Sequence, residues 1–284
     1  MRKILGIASL IMSTGVVHAE QLNEQEQISP YSANVTFASQ YISRGFQQTW
    51  GKPALQIGFD YANPNGLFVG TWASNVSSNY LRDASVEWDF YAGYLKTIDK
   101  FSIGMSVFII ITQVQKVRLK RGVQAITMAK LCLKIGYGPL SLKYFITYTP
   151  DYAGYNSNTM GGPEGKRSRG TTYLDLNFTQ PINESWTFGA HYGYERIKNF
   201  SEANFQDMKV ELIKDLGDGW TTGLAYTKAW DKDGYYRNYS NGESDAPISN
   251  PIHSTFTVAV KRCSNLYIKS LITLIWSQQA FSNT

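Results

Sequence analysis

From residue 31 onward the chain alternates apolar and polar side chains one by one, in stretches of about ten residues. Val86, Trp88, Phe90, Ala92 and Tyr94 share one face, and Glu87, Asp89, Tyr91 and Gly93 share the other. A period of two requires extended backbone, so the pattern predicts strands over 31–43, 53–62, 66–74, 85–96, 100–108, 131–137, 140–149, 171–179, 184–195, 206–214, 219–230 and 253–262. The opposite face carries mainly Gly, Thr, Asn, Glu and Asp, which also suits a sandwich with one face in water. The connections discriminate. Short ones such as Asn63-Pro64-Asn65 and Gly138-Pro139 alternate with long ones at 44–52, 75–84, 109–130, 150–170, 196–205 and 231–252. Strands joined in this way predict an all-β fold: a single antiparallel transmembrane β-barrel of about 12 strands, with short periplasmic turns and long external loops. In lipid every backbone N–H and C=O must be paired within the protein, so the sheet has to close on itself. Trp186 and Trp220 would begin strands at the periplasmic end, and Trp88 and Trp230 would lie toward the outer end. That makes two interfacial girdles.

The first residues predict the export that such a fold needs. Arg2 and Lys3 precede a short apolar run from Leu5 to Val17, and Val17-His18-Ala19 has the form of a cleavage site. The run is too short to span a bilayer as a helix. It predicts a signal peptide over 1–19, cleaved after Ala19, and a barrel domain over 20–262 in the outer membrane of a Gram-negative cell.

Several separate stretches resemble one family. Tyr41-Ile42-Ser43-Arg44-Gly45-Phe46-Gln47-Gln48-Thr49, with Pro53-Ala54-Leu55-Gln56 and Asp60-Tyr61, resembles the opening signature of the TorF-type porins, also described as the Gcw_chp conserved-hypothetical family. Gly66 to Val76, Glu87 to Tyr94, and Gly136 to Tyr144 with Asp151-Tyr152 resemble its later signatures. The resemblance covers about 31–104 and 133–262. It implies an outer-membrane barrel that forms a pore. It brings no substrate or catalytic role, so no functional residue is carried over from it.

Two stretches break the pattern. Residues 109–132 hold five basic residues, no acid and almost no turn chemistry. Read one base early, Ile109 to Thr112 permits a run of Tyr, Gln113 to Lys116 permits Pro-Gly-Ala-Lys, and Ile126 to Leu131 permits Tyr-Asn-Asn-Gly-Glu-Ala. The Gly of that last run is forced, because Met128 is ATG and the Ala129 codon begins GC. A compensated frameshift over about 108–132 is the expectation, with a genuine basic loop as the alternative; resequencing the gene separates them. The tail 263–284 runs past the last expected strand, and Cys263-Ser264 read one base early permits a stop. Together the leader, 109–132 and Lys269 of the tail carry the basic excess. Setting them aside turns 27 basic against 22 acidic residues into 19 against 22. The net charge of +5 therefore gives no reason to expect a nucleic-acid partner.

Motifs for chemistry are sparse. No G-x-S-x-G elbow occurs, Met160 to Lys166 lacks phosphate-loop spacing, and neither a metal nor a cofactor is expected. The candidates are charges on the expected inner face: Asp60, Glu87, Asp89, Asp175, Glu195 and Glu211 as acids, Lys143 and Lys209 as bases, and His191. Such charges either line an aqueous lumen, where the surplus of acids predicts a weak cation preference, or form a salt-bridge network that fills the barrel. Arg44, at the outer end of the first strand, either constricts the mouth or anchors a loop. The expected function is a non-enzymatic porin for passive diffusion of small hydrophilic solutes. Its partners would be the outer-membrane lipid bilayer, those solutes and the outer-membrane assembly machinery. The alternatives are a closed structural or adhesive barrel presenting its loops, and a barrel-embedded hydrolase using His191.

Overall fold

The computed structural model describes residues 29–114, 126–160, 164–241 and 245–265. The expected leader over 1–19, residues 115–125 of the basic stretch and the residues beyond 265 lie outside the described residues. The strands are β1 (Tyr31–Ala38), β2 (Ile42–Ser43), β3 (Phe46–Gln47), β4 (Ala54–Ala62), β5 (Leu67–Asn75), β6 (Ala84–Ile98) and β7 (Phe101–Val114). They continue with β8 (Ile126–Tyr137), β9 (Leu140–Thr147), β10 (Thr172–Pro181), β11 (Trp186–Arg196), β12 (Phe205–Gly217), β13 (Trp220–Asp231) and β14 (Thr255–Asn265). One helical turn, Ser157–Met160, sits in a long loop. All strands except β2 and β3 form one closed antiparallel barrel in sequence order, with β1 hydrogen-bonded to β14. The twelve expected strands are the twelve of the barrel.

Parity sorts the two faces as the sequence requires. On β6, Trp88 and Phe90 point out and are exposed, while Asp89 and Tyr91 point in and are buried. The same holds for Leu55 and Ile57 against Asp60 on β4, and for Val258 and Val260 against Thr255 on β14. An exterior of exposed Leu, Ile, Val, Met and Phe is far beyond what a water-soluble surface tolerates, and it is the outward apolar band of a lipid-facing barrel. Trp186 and Trp220 open strands at the short-turn end. The Lys214 ammonium lies 5.4 Å from the Trp186 ring and the Arg262 guanidinium 5.6 Å from the Trp220 ring. Both pairs let a long cation run along an aromatic toward water.

Three expected boundaries are corrected. The first strand ends at Ala38, not at residue 43. Ser39 still takes part in the β14 ladder, with its N–H bonded to Val258 O at 2.8 Å. The chain then turns into the barrel, burying Tyr41 against Trp72 with ring centroids 5.3 Å apart. The second correction is in the basic stretch, where both ends of the expected loop are strand. Ile109–Thr112 pairs in register with Glu87–Phe90 and with Ile126–Ala129. The neighbouring β6 starts at Ala84, and its N–H and C=O groups need partners that far out. Finally, β14 runs to Asn265, past the expected end at 262, because Ser32, Ala33 and Asn34 of β1 pair with Asn265, Ser264 and Cys263.

Residues 41–49 fold inward as a hairpin instead of rising from the mouth. Its turn has positive φ at Arg44 (48°) and Gly45 (79°), as a type I′ turn requires. A Cβ at Gly45 would overlap the Cβ of Ala229 and stand 3.0 Å from that of Asp207. Gly45→Ala therefore combines overpacking, about 1–3 kcal/mol, with a left-handed backbone, about 1–2 kcal/mol. It should lower the denaturant midpoint of the folded barrel in detergent, whereas Gly51→Ala, where a Cβ meets nothing within 4 Å, should incur only the backbone term.

Candidate functional site

The site is the barrel interior where this hairpin meets the wall. One half of it is built by β9 to β12. The register sets Asp175 opposite Lys143 on one side and Gly193 on the other, and Gly193 opposite Asp207. With no side chain at Gly193, the Tyr173 ring and the Asp207 carboxylate close over it; any Cβ there would collide with both. The Lys143 ammonium lies 3.0 Å from Asp175 Oδ2. His191 Nδ1 lies 2.9 Å from Asp175 Oδ1, and Nε2 lies 2.8 Å from Asp207 Oδ2. The Tyr173 hydroxyl donates to Asp207 Oδ1 at 2.8 Å. A carboxylate at each ring nitrogen demands a donor at each, which only the imidazolium supplies.

Arg44 joins the hairpin to this wall. Its guanidinium donates to Glu195 Oε2 at 2.5 Å and lies 3.9 Å from the centroid of the Tyr173 ring. The Tyr152 hydroxyl, from the long loop after β9, donates to the same carboxylate oxygen at 3.1 Å. The Arg44 side chain is 9% exposed and that of Glu195 1%. The hairpin's next side chain, Phe46, is buried among Phe205, Tyr236 and Tyr80. The loop tyrosines above it bond to one another and to backbone: Tyr155 and Tyr236 through their hydroxyls at 3.1 Å, and Tyr236 to Ala203 O at 2.6 Å. Burial raises Tyr155 and pushes Tyr239 up to about 12, so these hydroxyls stay neutral at physiological pH.

The opposite wall is β4 to β8. The Tyr91 hydroxyl donates to Asp60 Oδ1 across Gly70, which is spared a side chain for the same reason as Gly193. The Tyr41 hydroxyl of the hairpin segment donates to Glu87 Oε1 at 2.7 Å. Asp89 is 2% exposed, and Lys130 on β8 is 5% exposed. Between this wall and the hairpin lies a cavity of about 140 Å³.

All nine inner-face candidates, Asp60, Glu87, Asp89, Lys143, Asp175, His191, Glu195, Lys209 and Glu211, lie on inward positions of their strands. Asp175, His191 and Lys143 come together, Glu195 meets Arg44, and Glu87 and Asp89 share the cavity. Lys209 and Glu211 pair with each other at 3.2 Å, apart from these groups. Sequence reasoning missed Asp207 and Tyr173, although Asp207 has the parity of Lys209 and Glu211, and Tyr173 that of Asp175. It also missed Lys130, Lys134 and Lys261, which sit on inward positions of β8 and β14. The hydrolase alternative finds no support here, because both nitrogens of His191 are occupied and its hydrogen-bond partners are Asp175, Asp207 and Tyr173.

Among solved structures, the chain is similar to one titled "KdgM porin in complex with disordered oligogalacturonate", with 11% identity, a TM-score of 0.49, and 81% of this chain and 98% of that one covered. It is similar to a NanC porin structure at 12% identity and a TM-score of 0.48, covering 82% and 99%. It is also similar to OccD3 (OpdP) of Pseudomonas aeruginosa at 11% identity and a TM-score of 0.39, covering 83% and 60%. No curated protein matches it. Residues 24–263 match the family model described as "Bacterial protein of unknown function (Gcw_chp)", and the chain belongs to that family.

Proposed function

We propose that this chain is an outer-membrane porin of the TorF type, exported by its leader, through which small hydrophilic solutes diffuse passively past the Arg44 hairpin. The observation that carries this reading is one closed twelve-stranded barrel with an apolar exterior and an interior wall of charged, hydroxyl and amide side chains. Interior polar groups that find no partner in the protein cost stability unless water or solute meets them. The expected weak cation preference set six acids against Lys143 and Lys209. With Arg44, Lys130, Lys134 and Lys261 also inside, selectivity between simple ions should be close to neutral. The test is swelling of proteoliposomes in iso-osmotic solutes of rising size. Rates should exceed those of protein-free liposomes for the smallest solutes and fall steeply with size; no excess for any solute would reject the reading.

One observation favours a second reading, a closed barrel that presents its loops. Phe46 and the tyrosines around it cover the outer end of the interior with packed rings. Under that reading no solute of any size permeates.

A further inference from the structure

The cavity beside the hairpin is lined by charges of both signs. Glu87 and Asp89 stand two residues apart on the inward face of β6, Lys130 faces the same space from β8, and Arg44 reaches it from the hairpin. Arg44 already has Glu195, and Glu87 has the Tyr41 hydroxyl. Two groups are left over. Asp89 Oδ1 is buried and accepts no hydrogen bond among the described residues. Lys130 forms no ion pair among the described residues, and its ammonium rests 5.4 Å from the centroid of the Tyr152 ring. Holding a buried ionisable group charged without a partner costs several kcal/mol, so the charged forms of both favour an occupant that satisfies them together. A simple cation would serve the carboxylates and leave Lys130 facing a like charge. A simple anion would do the reverse. A solute that carries an ammonium at one end and a carboxylate at the other serves both. A cavity of about 140 Å³ has room for several waters, and so for a small amino acid, which displaces only a few.

We propose that this cavity binds small zwitterions of the α-amino-acid class, ammonium toward Asp89 and Glu87, carboxylate toward Lys130 and Arg44. The proposal rests on the channel reading and names what the channel selects. Glu87, Asp89 and Arg44 lie outside the basic stretch 109–132, and Lys130 lies within it. The alternate frame permits Glu at that position, which would convert the site to one for cations.

Saturation-transfer NMR on the folded barrel in detergent tests this without requiring conduction. The probes are glycine, methylammonium and acetate. Glycine should show transfer, methylammonium and acetate should bind at least about ten-fold more weakly, and Asp89→Asn should weaken glycine by a similar factor. Asp89→Asn removes a buried, unpartnered ionisable carboxyl, so the variant should fold at least as well as the parent, which the gel shift on heating verifies. Absence of glycine binding to a folded, conducting barrel overturns the site and leaves the channel standing. Glycine binding by a barrel that passes no current leaves the site standing and overturns the channel. Methylammonium binding as tightly as glycine overturns the zwitterion class, and glycine binding unchanged in Asp89→Asn overturns the location.

Discussion

His191→Leu should destabilise the folded barrel by about 3–5 kcal/mol, the cost of removing one member of a buried charged network. The histidine side chain is 2% exposed, and it stands between Asp175 and Asp207, whose side chains are 0% and 2% exposed. Leucine fills similar volume but faces both carboxylates with no donor; among the described residues Asp207 keeps the Tyr173 hydroxyl, and Asp175 keeps Lys143 and Asn177 among its partners. A carboxylate held this far from water cannot recover its hydration, so the loss is not offset by solvent. The external pair Arg167–Asp151 is the control. Its arginine is 60% exposed, and Arg167→Ala should cost less than about 1 kcal/mol. Equilibrium urea unfolding in detergent, followed by tryptophan fluorescence, measures both. A loss below about 1 kcal/mol for His191→Leu would mean that the network carries little stability.

Removing the latch of the hairpin should have the largest effect on transport. Arg44→Ala deletes the ion pair to Glu195 and the cation–π contacts with Tyr173 and Phe145, which tie the turn to the far wall. Phe46 and the hydrogen bond of Gln47 N–H to Pro251 O at 2.9 Å still hold the base of the hairpin, so the turn should loosen without leaving the barrel. Single-channel current through Arg44→Ala should be noisier and larger than in the parent. Replacing 41–49 by a short Gly-Ser link should raise conductance at least about two-fold, because a hairpin occupies much of a twelve-stranded lumen. Arg44→Lys should behave like the alanine variant in part, since an ammonium keeps the charge but not the planar stacking. Conductance unchanged in all three variants would mean that solutes take a path the hairpin does not constrict.

The barrel was legible in the sequence because its two requirements are written residue by residue. Parity separates Trp88 and Phe90 from Asp89 and Tyr91, and the sorting of short turns from long loops closes the order of strands. Parity also put every inner-face candidate on the correct side, and would have added Asp207 beside Lys209. What could not be read was depth. Tyr41 to Ser43 reads as the end of the first strand and 44–52 as an external loop, and only the three-dimensional fit of Gly45 against Ala229 and of Phe46 against Phe205 turns the segment inward. For the same reason Arg44, with mouth and loop both open to it, is found inside and bonded to a strand 151 residues away. Pairings such as Asp175–His191–Asp207 depend on shear between neighbouring strands, and no single strand carries that information. The basic stretch misled in another way. Its Ile-rich ends lack turn residues, which is what strand extension needs, yet its basic composition reads as a loop, frameshifted or genuine.

The most direct test of the account is the current through single molecules of the purified, folded chain in a planar bilayer. The account predicts discrete conductance steps with a reversal potential near zero in a salt gradient, and larger steps when the 41–49 hairpin is replaced. A folded barrel that inserts and passes no current, with or without the hairpin, would contradict it.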